Sequence, residues 1–208
     1  MIRRIDSADD LAEGAAHLAA ICPVWARVLP QIGPLRLRRR PDGFGAILGA
    51  VVSQQLSVAS ANAISGRLAA AGLDTPQAIL AATDEELRGC GLSAPKIRYL
   101  RGIAAAGIDW TTLADQPDDE VTATLTALPG IGRWTAEIYL MFALGRADAF
   151  APDDLALQEA ARIMYGLKDR PKGRALAVMA QPWQPWRSVA ARGLWAYYHL
   201  AKGREGVT

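Results

Sequence analysis

The sequence predicts an all-α protein, and three kinds of observation support this fold class. Apolar residues recur at helical spacing through most of the 208 residues, and no stretch alternates as a half-buried strand would. Helix-start signals are frequent: Ser7 and Thr75 can each cap a helix, and Thr83 with Glu86 forms a capping box. Short joints rich in Gly, Pro and Asp separate the apolar segments. Together these features predict about ten short helices.

The elements follow in order along the chain. Ser7 caps a first helix that runs to about Cys22, and prolines 23, 30 and 34 then predict a loop that leads into an arginine-rich run. A second helix starts near Asp42 and continues to Ala71, with a pause around 53–57. Further helices are predicted from Pro76, from Thr83 and at 93–106, 117–127, 133–145, 154–165, 172–180 and 185–202. We expect residues 1–41, an N-terminal helix and basic loop, to pack on a core formed by 42–208.

Composition excludes several classes of protein. Apolar residues make up 51% of the chain, too many for a disordered protein, and the net charge of +2 neither requires nor excludes a nucleic-acid partner. The uncharged stretch 43–66 contains seven polar Ser, Gln and Asn side chains, which argues against a membrane span. Two cysteines, Cys22 and Cys90, cannot hold an iron–sulfur cluster on four thiolates and are expected to be reduced thiols of a cytoplasmic protein.

The most informative segment is 128–136, LPGIGRWTA, which joins two predicted helices. Gly130 and Gly132 allow a tight turn and let a large group approach the amides that open the second helix. Those amides and the helix dipole favour an anionic oxygen such as that of a phosphate. A plain helix–turn–helix corner, in which the glycines serve geometry alone, explains the motif equally well.

Four other segments are informative together with this motif, two before it in the chain and two after it. They are SQQLS at 53–57, GLSAPK at 91–96, AFAPDD at 149–154 and WRS at 186–188, the last followed by Trp195. Together with LPGIGRWTA, this combination resembles the helix–hairpin–helix DNA glycosylase superfamily, and within it the 3-methyladenine DNA glycosylase II branch. The resemblance covers about residues 42–200 and implies two helical lobes flanking a cleft, a monomer, and double-stranded DNA as the partner.

Asp154 is the expected catalytic residue. A carboxylate beside the sugar stabilises the positive charge that builds up as an N-glycosidic bond breaks, and it can orient or deprotonate water. The resemblance places this role on Asp154, the second residue of an acidic pair. Asp153 is the competitor, with helix N-capping as its alternative role, and both carboxylates could simply be first-turn acids that favour the helix dipole.

Trp134 bears on both the reaction and the substrate. Relatives that also cut the DNA backbone carry a lysine at this position, and an indole cannot form the imine, so the resemblance implies simple hydrolysis. In the resembled enzymes, tryptophans at the positions of Trp134 and Trp195 line the base pocket, where they would attract a cationic methylated base. Core packing is the alternative role of each. Ile138 and Ala196 stand where some relatives have aromatic residues, which predicts a roomier or less selective pocket.

The remaining site residues concern how DNA is held. The resemblance assigns the wedge that fills the gap left by a flipped base to Gln55, with Leu56 beside it. The alternative for Gln55 is a buried amide that ties two helix ends together. Contacts to DNA phosphates are expected from Gly130, Ile131, Gly132, Arg133, Thr135, Lys96 and Arg187, with Arg98 as a further basic candidate. The family's hairpin can also bind Na⁺ or K⁺, here through the carbonyls of Leu128 and Ile131, and no other cofactor is expected.

The predicted function is therefore the hydrolytic release of alkylated purines, of the 3-methyladenine and 7-methylguanine type, in base excision repair. Three alternatives are open. One is a glycosylase for another lesion, which would recognise a neutral base by specific hydrogen bonds. Another is a DNA-binding module without catalysis, which needs neither Asp154 nor aromatic pocket residues. The third is a helical interaction protein with no role on DNA.

Overall fold

The computed structural model describes residues 2–203 and confirms the all-α prediction. In this part of the chain there are thirteen α-helices, a 3₁₀ turn at Gln181–Trp183 and a single isolated β-bridge, between Arg4 and Arg146. The helices are α1 (Ala8–Ile21), α2 (Pro23–Ile32), α3 (Phe44–Ser53), α4 (Val58–Ala70), α5 (Pro76–Ala81), α6 (Asp84–Gly89), α7 (Ala94–Ala105), α8 (Trp110–Leu113), α9 (Asp118–Thr126), α10 (Arg133–Phe142), α11 (Leu155–Tyr165), α12 (Gly173–Met179) and α13 (Arg187–Lys202).

The predicted helix starts are confirmed. The Ser7 side chain accepts a hydrogen bond from the Asp10 amide, and the Asp10 carboxylate accepts one from the Ser7 amide. Thr83 and Glu86 form the same reciprocal pair at α6, and Thr75 caps α5. These local exchanges satisfy N–H groups that every helix end leaves without an intrahelical acceptor.

The predicted loop after Cys22 is wrong, because residues 23–32 form helix α2. Pro23 occupies the first helical position, where a missing N–H costs nothing and the fixed φ favours the helix. Pro30 removes one hydrogen bond near the C-terminal end, and α2 ends two residues later. Burial of Trp25 and Val28 on one face of α2 outweighs that loss, with the Trp25 ring packed edge-to-face on Trp183 at 5.6 Å.

The chain forms two compact units. The terminal unit contains the residues up to Arg39 and those from Leu140 onward, and the middle unit contains residues from Arg40 to Tyr139. The sequence predicts a boundary after residue 41, and one boundary between the units lies after Arg39. The stretch 42–208, predicted as a single core, contributes to both units.

In the terminal unit, α13 packs against α11, α1 and α2. Seven of its buried residues are Ser188, Val189, Ala190, Ala191, Gly193, Leu194 and Trp195. The small residues among them let neighbouring helices approach closely, because their side chains take up little room. Lys202 of α13 forms an ion pair with Glu159 of α11 at 3.3 Å, which further connects these helices, and Arg162 pairs with Glu159 within α11.

In the middle unit, α7 packs against α3, α5 and α6, and α3 packs on α4. Ile47 and Val51 of α3, with Ile97 and Leu100 of α7, are buried in this core. The hydroxyl of Tyr139 accepts a hydrogen bond from the Gly43 amide at 3.1 Å, and burial raises the pKa of Tyr139. Within residues 2–203, no helix is long and apolar enough to cross a membrane.

Candidate functional site

The hairpin between α9 and α10 has the geometry that its glycines predict. Gly130 has φ +77°, and a Cβ at this residue would lie 2.5–2.9 Å from ring atoms of Tyr99, so both backbone and packing require glycine. Leu128 and Ile131 are buried, and the Ile131 amide donates to the Leu128 carbonyl at 3.2 Å. The turn is thus fixed from inside the middle unit.

Gly132 differs from Gly130. A Cβ at Gly132 would meet no atom of the protein within 4 Å, and its φ is outside the left-handed region. The hydrogen bond from the Ala136 amide to the Gly132 carbonyl is the first of α10, so the preceding amides have no acceptor within the helix. Gly132, Arg133 and Trp134 are exposed, which leaves this helix end accessible to an anion.

Three predicted site residues lie on the first turn of α10. The Arg133 side chain is 71% exposed and donates through Nε to Oε1 of the buried Glu137 at 2.9 Å. Trp134 is 43% exposed, whereas the side chain of Thr135 is buried. Arg133 and Trp134 can therefore reach a ligand directly, and Thr135 is placed to contribute its backbone amide.

The predicted wedge segment is the turn between α3 and α4. Gln55 has φ +57°, a left-handed conformation that is uncommon for a residue with a side chain, and it is exposed. Leu56 beside it is 40% exposed. The alternative of Gln55 as a buried amide tying two helix ends is wrong because Gln55 lies at the exposed tip of the turn.

The preceding residue, Gln54, has a side-chain amide that binds another segment of the middle unit. Its side-chain Nε2 donates to the carbonyl oxygen of Gly130 at 2.9 Å, which joins the wedge turn to the hairpin. Sequence reasoning missed Gln54, although the Gln-Gln pair was visible. The tertiary structure alone determines that the Gln54 amide faces the hairpin and that the Gln55 amide faces solvent.

Lys96 also binds this turn. Its ammonium group donates to the carbonyls of Val52 at 2.6 Å and of Gln54 at 2.9 Å, and burial lowers the pKa of Lys96. These carbonyls lie at the C-terminal end of α3, where a cation is favoured by the helix dipole. Lys96 was predicted as a phosphate contact, and the structure places its ammonium on protein oxygens. Arg98, the further candidate, is exposed on α7.

In the terminal unit, Asp154 is the N-cap of α11. Its Oδ1 accepts hydrogen bonds from the amides of Ala156 and Leu157, both at 2.9 Å, and from Nε1 of Trp195 at 3.3 Å. Three donors directed at one oxygen fix the orientation of the half-buried carboxylate. The capping role predicted for Asp153 is wrong, because Asp154 performs it; Asp153 is exposed and lies against Gly173.

Trp195, 6% exposed, packs its ring against Phe142 at 5.7 Å while its N–H reaches Asp154. Trp195 and Asp154 are therefore brought together within the terminal unit. Trp134 and Ile138 belong to the middle unit, where Ile138 is half-buried. Arg187 is held by Asp148, with Nε to Oδ1 and Nη2 to Oδ2 both at 2.8 Å, so its guanidinium is already engaged in a two-point pair.

A cavity of about 540 Å³ opens in the terminal unit beside Trp195. Its lining includes Phe142, Ala196, His199 and three arginines, Arg36, Arg38 and Arg192. Sequence reasoning missed this cluster. The arginine run at 36–40 was the visible signal, but the third member lies about 150 residues later in the chain.

Arg192 forms the buried wall of this cavity. It donates to the carbonyl and hydroxyl oxygens of Ser188 and, at 3.0 Å, to the Met141 carbonyl, and its guanidinium lies 4.6 Å from the Phe142 ring centre. Burial, with the nearby charges of Arg39 and Arg38, lowers the pKa of Arg192 to about 10. The cavity is thus positive and offers donors to an acceptor-rich group.

The amino-acid sequence was compared with models of known protein families, and it matches one of them. The family model of the HhH-GPD superfamily of base excision DNA repair proteins matches residues 48–187. The match includes the wedge turn, the hairpin and Asp154.

Curated relatives and solved structures agree with this match. The DNA-3-methyladenine glycosylase 1 of Schizosaccharomyces pombe is 32% identical over 203 residues, which cover 92% of this chain and 89% of that protein. The DNA-3-methyladenine glycosylase 2 of Escherichia coli is 32% identical over 77% of this chain and 60% of that protein. Among structures, the S. pombe 3-methyladenine DNA glycosylase in complex with abasic DNA superposes with a TM-score of 0.77 at 30% identity, covering 94% of this chain and 100% of that one.

Proposed function

We propose that this chain, which belongs to the HhH-GPD superfamily of base excision DNA repair proteins, is a monofunctional DNA glycosylase. Its proposed reaction is the hydrolytic release of alkylated purines from double-stranded DNA. The single observation that carries the reaction is the carboxylate of Asp154, held by two helix amides and the indole of Trp195. The alkylated substrate is supported by the names of the relatives, which are 3-methyladenine glycosylases. We further propose that the protein acts as a monomer.

Binding of the DNA backbone is assigned to the hairpin. The exposed Gly132 and the N-terminal end of α10 suit a phosphate oxygen, with Arg133 as a flanking charge. The carbonyls of Leu128 and Ile131 are neutral oxygens that suit Na⁺ or K⁺. Such an ion, when bound, supplies positive charge for a phosphate.

The chemical step is assigned to Asp154. A base inside the duplex cannot reach a carboxylate, so the nucleotide must first be flipped out. As the C1′–N bond breaks, positive charge builds on the sugar and the ionised Asp154 stabilises it. A water oxygen then bonds to C1′, its proton passes to Asp154, and the departing base takes the bonding electron pair.

The aromatic residues account for the lesion and for the absence of a second reaction. Trp134 and Trp195 offer faces that attract a base carrying positive charge from methylation at a ring nitrogen, and such a base is already a good leaving group. Trp134 cannot form a Schiff base, so we propose that the DNA backbone stays intact. We also propose that bulkier adducts are tolerated, because Ile138 and Ala196 stand where some relatives have larger aromatic residues.

A second candidate is favoured by one specific observation, the arginine-lined cavity beside Trp195. Arg36, Arg38 and Arg192 offer positive charge, and the first two have donors to spare for a neutral base with oxygen or nitrogen acceptors. Hypoxanthine is a purine of that kind. In this alternative the reaction is the same, but the preferred lesion is uncharged.

The test is base release from DNA treated with dimethyl sulfate, with the free bases separated by chromatography. We expect methylated purines to be released, in the presence of EDTA as well as without it, and strands to break only after alkali treatment. A duplex carrying one hypoxanthine tests the second candidate. Binding without release from either substrate would contradict the proposal and favour a DNA-binding module.

A further inference from the structure

The wedge turn and the hairpin are joined by a direct bond and by a shared support. Gln54 Nε2 donates to the Gly130 carbonyl, and Lys96 donates to the backbone carbonyls of Val52 and Gln54. The Lys96 bonds hold the backbone of the turn to α7, while the Gln54 side chain holds it to the hairpin. All four residues belong to the middle unit.

Helix α7 also supports the hairpin. Tyr99 lies directly under Gly130, where a Cβ would be within 2.5 Å of its ring. One turn further, Gly102 packs against Pro129, since a Cβ at Gly102 would lie 2.6 Å from Pro129 Cγ. Lys96, Tyr99 and Gly102 follow at intervals of three residues and therefore lie on one face of α7. That face carries the wedge turn at one end and the hairpin at the other.

We propose that Gln54 and Lys96 are positioning residues that hold the Gln55–Leu56 tip at a fixed distance from the hairpin. This inference rests on the proposed function, because it concerns how a base is displaced. When the hairpin is anchored on a DNA phosphate, a tip that could yield would be pushed aside instead of opening the base stack. A tip braced on both α7 and Gly130 keeps its place, so the binding energy at the hairpin acts on the stack.

The conformation of the tip agrees with such bracing. Gln55 keeps φ +57°, a region that most residues with side chains avoid unless their surroundings impose it. The Lys96 and Gln54 bonds fix the residues before it, and Ser57 fixes those after it by capping α4. The exposed side chains of Gln55 and Leu56 thus project from a turn that is held on both sides.

The experiment compares Gln54→Glu, Gln54→Leu and Lys96→Met with the native chain on two duplexes. Both duplexes contain one N7-methylguanine with 2-aminopurine as its neighbour, whose fluorescence rises when the stack opens. In one the lesion is paired with cytosine, and in the other it is bulged and needs little unpairing. Gln77→Glu and Lys168→Met are the matched controls, since both side chains are exposed and belong neither to the turn, nor to the hairpin, nor to α7.

On the paired duplex we expect stack opening and single-turnover base release to slow by about ten-fold in each Gln54 and Lys96 variant, the effect of losing a well-formed hydrogen bond. On the bulged duplex the loss should shrink to less than about three-fold, because there is little stack left to open. Affinity for undamaged duplex should match the native chain, and the melting temperature of Gln54→Leu should fall by at most a few degrees, the effect of one lost hydrogen bond. The controls should behave as native on both duplexes.

Equal losses on the two duplexes would overturn the proposal, because they would show a general structural defect. Unchanged rates in all three variants would overturn it as well. If the native chain opens the stack but releases no base, the proposed function fails while the fluorescence still tests the positioning role. The two failures are therefore distinguishable.

Discussion

Trp195 Nε1 donates a hydrogen bond to Oδ1 of Asp154 at 3.3 Å, which connects α13 to the N-terminal end of α11. The same oxygen accepts hydrogen bonds from the backbone amides of Ala156 and Leu157. The residue that caps α11 is therefore also the carboxylate proposed for catalysis. Capping and catalysis are compatible here because a carboxylate has two oxygens and several acceptor positions.

Replacing Trp195 by Phe tests what the indole N–H contributes. Phenylalanine keeps an aromatic ring against Phe142 but cannot donate to Asp154. We expect base release to slow by about five- to ten-fold and stability to fall by about 1 kcal/mol, the net value of one hydrogen bond. Single-turnover kinetics and urea unfolding measure the two effects. An unchanged rate would mean that the helix amides alone orient the carboxylate.

The two hairpin glycines should respond differently to alanine. Gly130→Ala forces a Cβ against Tyr99 at a left-handed φ, so we expect a loss of about 1–3 kcal/mol in the free energy of unfolding. Gly132→Ala meets no protein atom, so its stability should stay near that of the native chain while DNA affinity falls. Thermal unfolding and fluorescence anisotropy with a duplex separate these effects. Native affinity in Gly132→Ala would show that DNA does not approach this residue closely.

The salt dependence of DNA binding distinguishes Arg133 from Arg187. Arg133→Gln should reduce the slope of log affinity against log salt by about one, the change expected for one lost phosphate contact. Arg187→Gln should leave the slope unchanged, because Asp148 holds that guanidinium at two points. If both variants reduce the slope equally, Arg187 leaves Asp148 to bind DNA, as the sequence analysis predicts.

Acid should weaken the contact between α11 and α13 through Glu159. The hydrogen bonds from Arg162, and then from Lys202, lower the pKa of Glu159 from 4.5 to about 2. A depressed carboxyl pKa stabilises the folded state when the group is ionised, so this contribution is complete above about pH 5 and is lost as pH falls toward 2. Urea unfolding should show that Glu159→Gln is less stable than the native chain near pH 7 and that the difference shrinks near pH 3. A difference independent of pH would contradict this assignment.

Local signals in the sequence predicted the fold well because they act over a few residues. The capping pairs at Ser7 and Thr83 involve partners three residues away, and both form as expected. Helix α2 does not follow from the proline pattern, because prolines usually break helices. Pro23 instead occupies the first helical position, where proline favours a helix. The position of a proline within the helix therefore matters more than its presence.

The site could be predicted only in part, because its contacts join distant segments. The candidate residues Asp154 and Trp195 followed from the resemblance, but the bond between them spans 41 residues. Gln54 could not be separated from Gln55 without knowing which side of the turn faces Gly130. Likewise, nothing in the sequence distinguishes Arg192 from other arginines on helices. Its burial is seen only in the structure, where it binds the carbonyl of Met141, 51 residues away. The sequence supplied the chemistry of these residues, and tertiary structure decided which partners they have.

Asp154 is the residue proposed to carry the reaction, and the neighbouring Asp153 provides a matched control. Asp154→Asn keeps an oxygen for the three N–H donors and a good helix cap, so folding and DNA affinity should be retained. The measurement is single-turnover release of N7-methylguanine from a duplex by Asp154→Asn, Asp153→Asn and the native chain. We expect Asp154→Asn to be slower than native by at least about 100-fold, since the charge that stabilises the sugar cation is removed, and Asp153→Asn to stay near the native rate. Release at the native rate by Asp154→Asn would show that Asp154 does not carry the reaction.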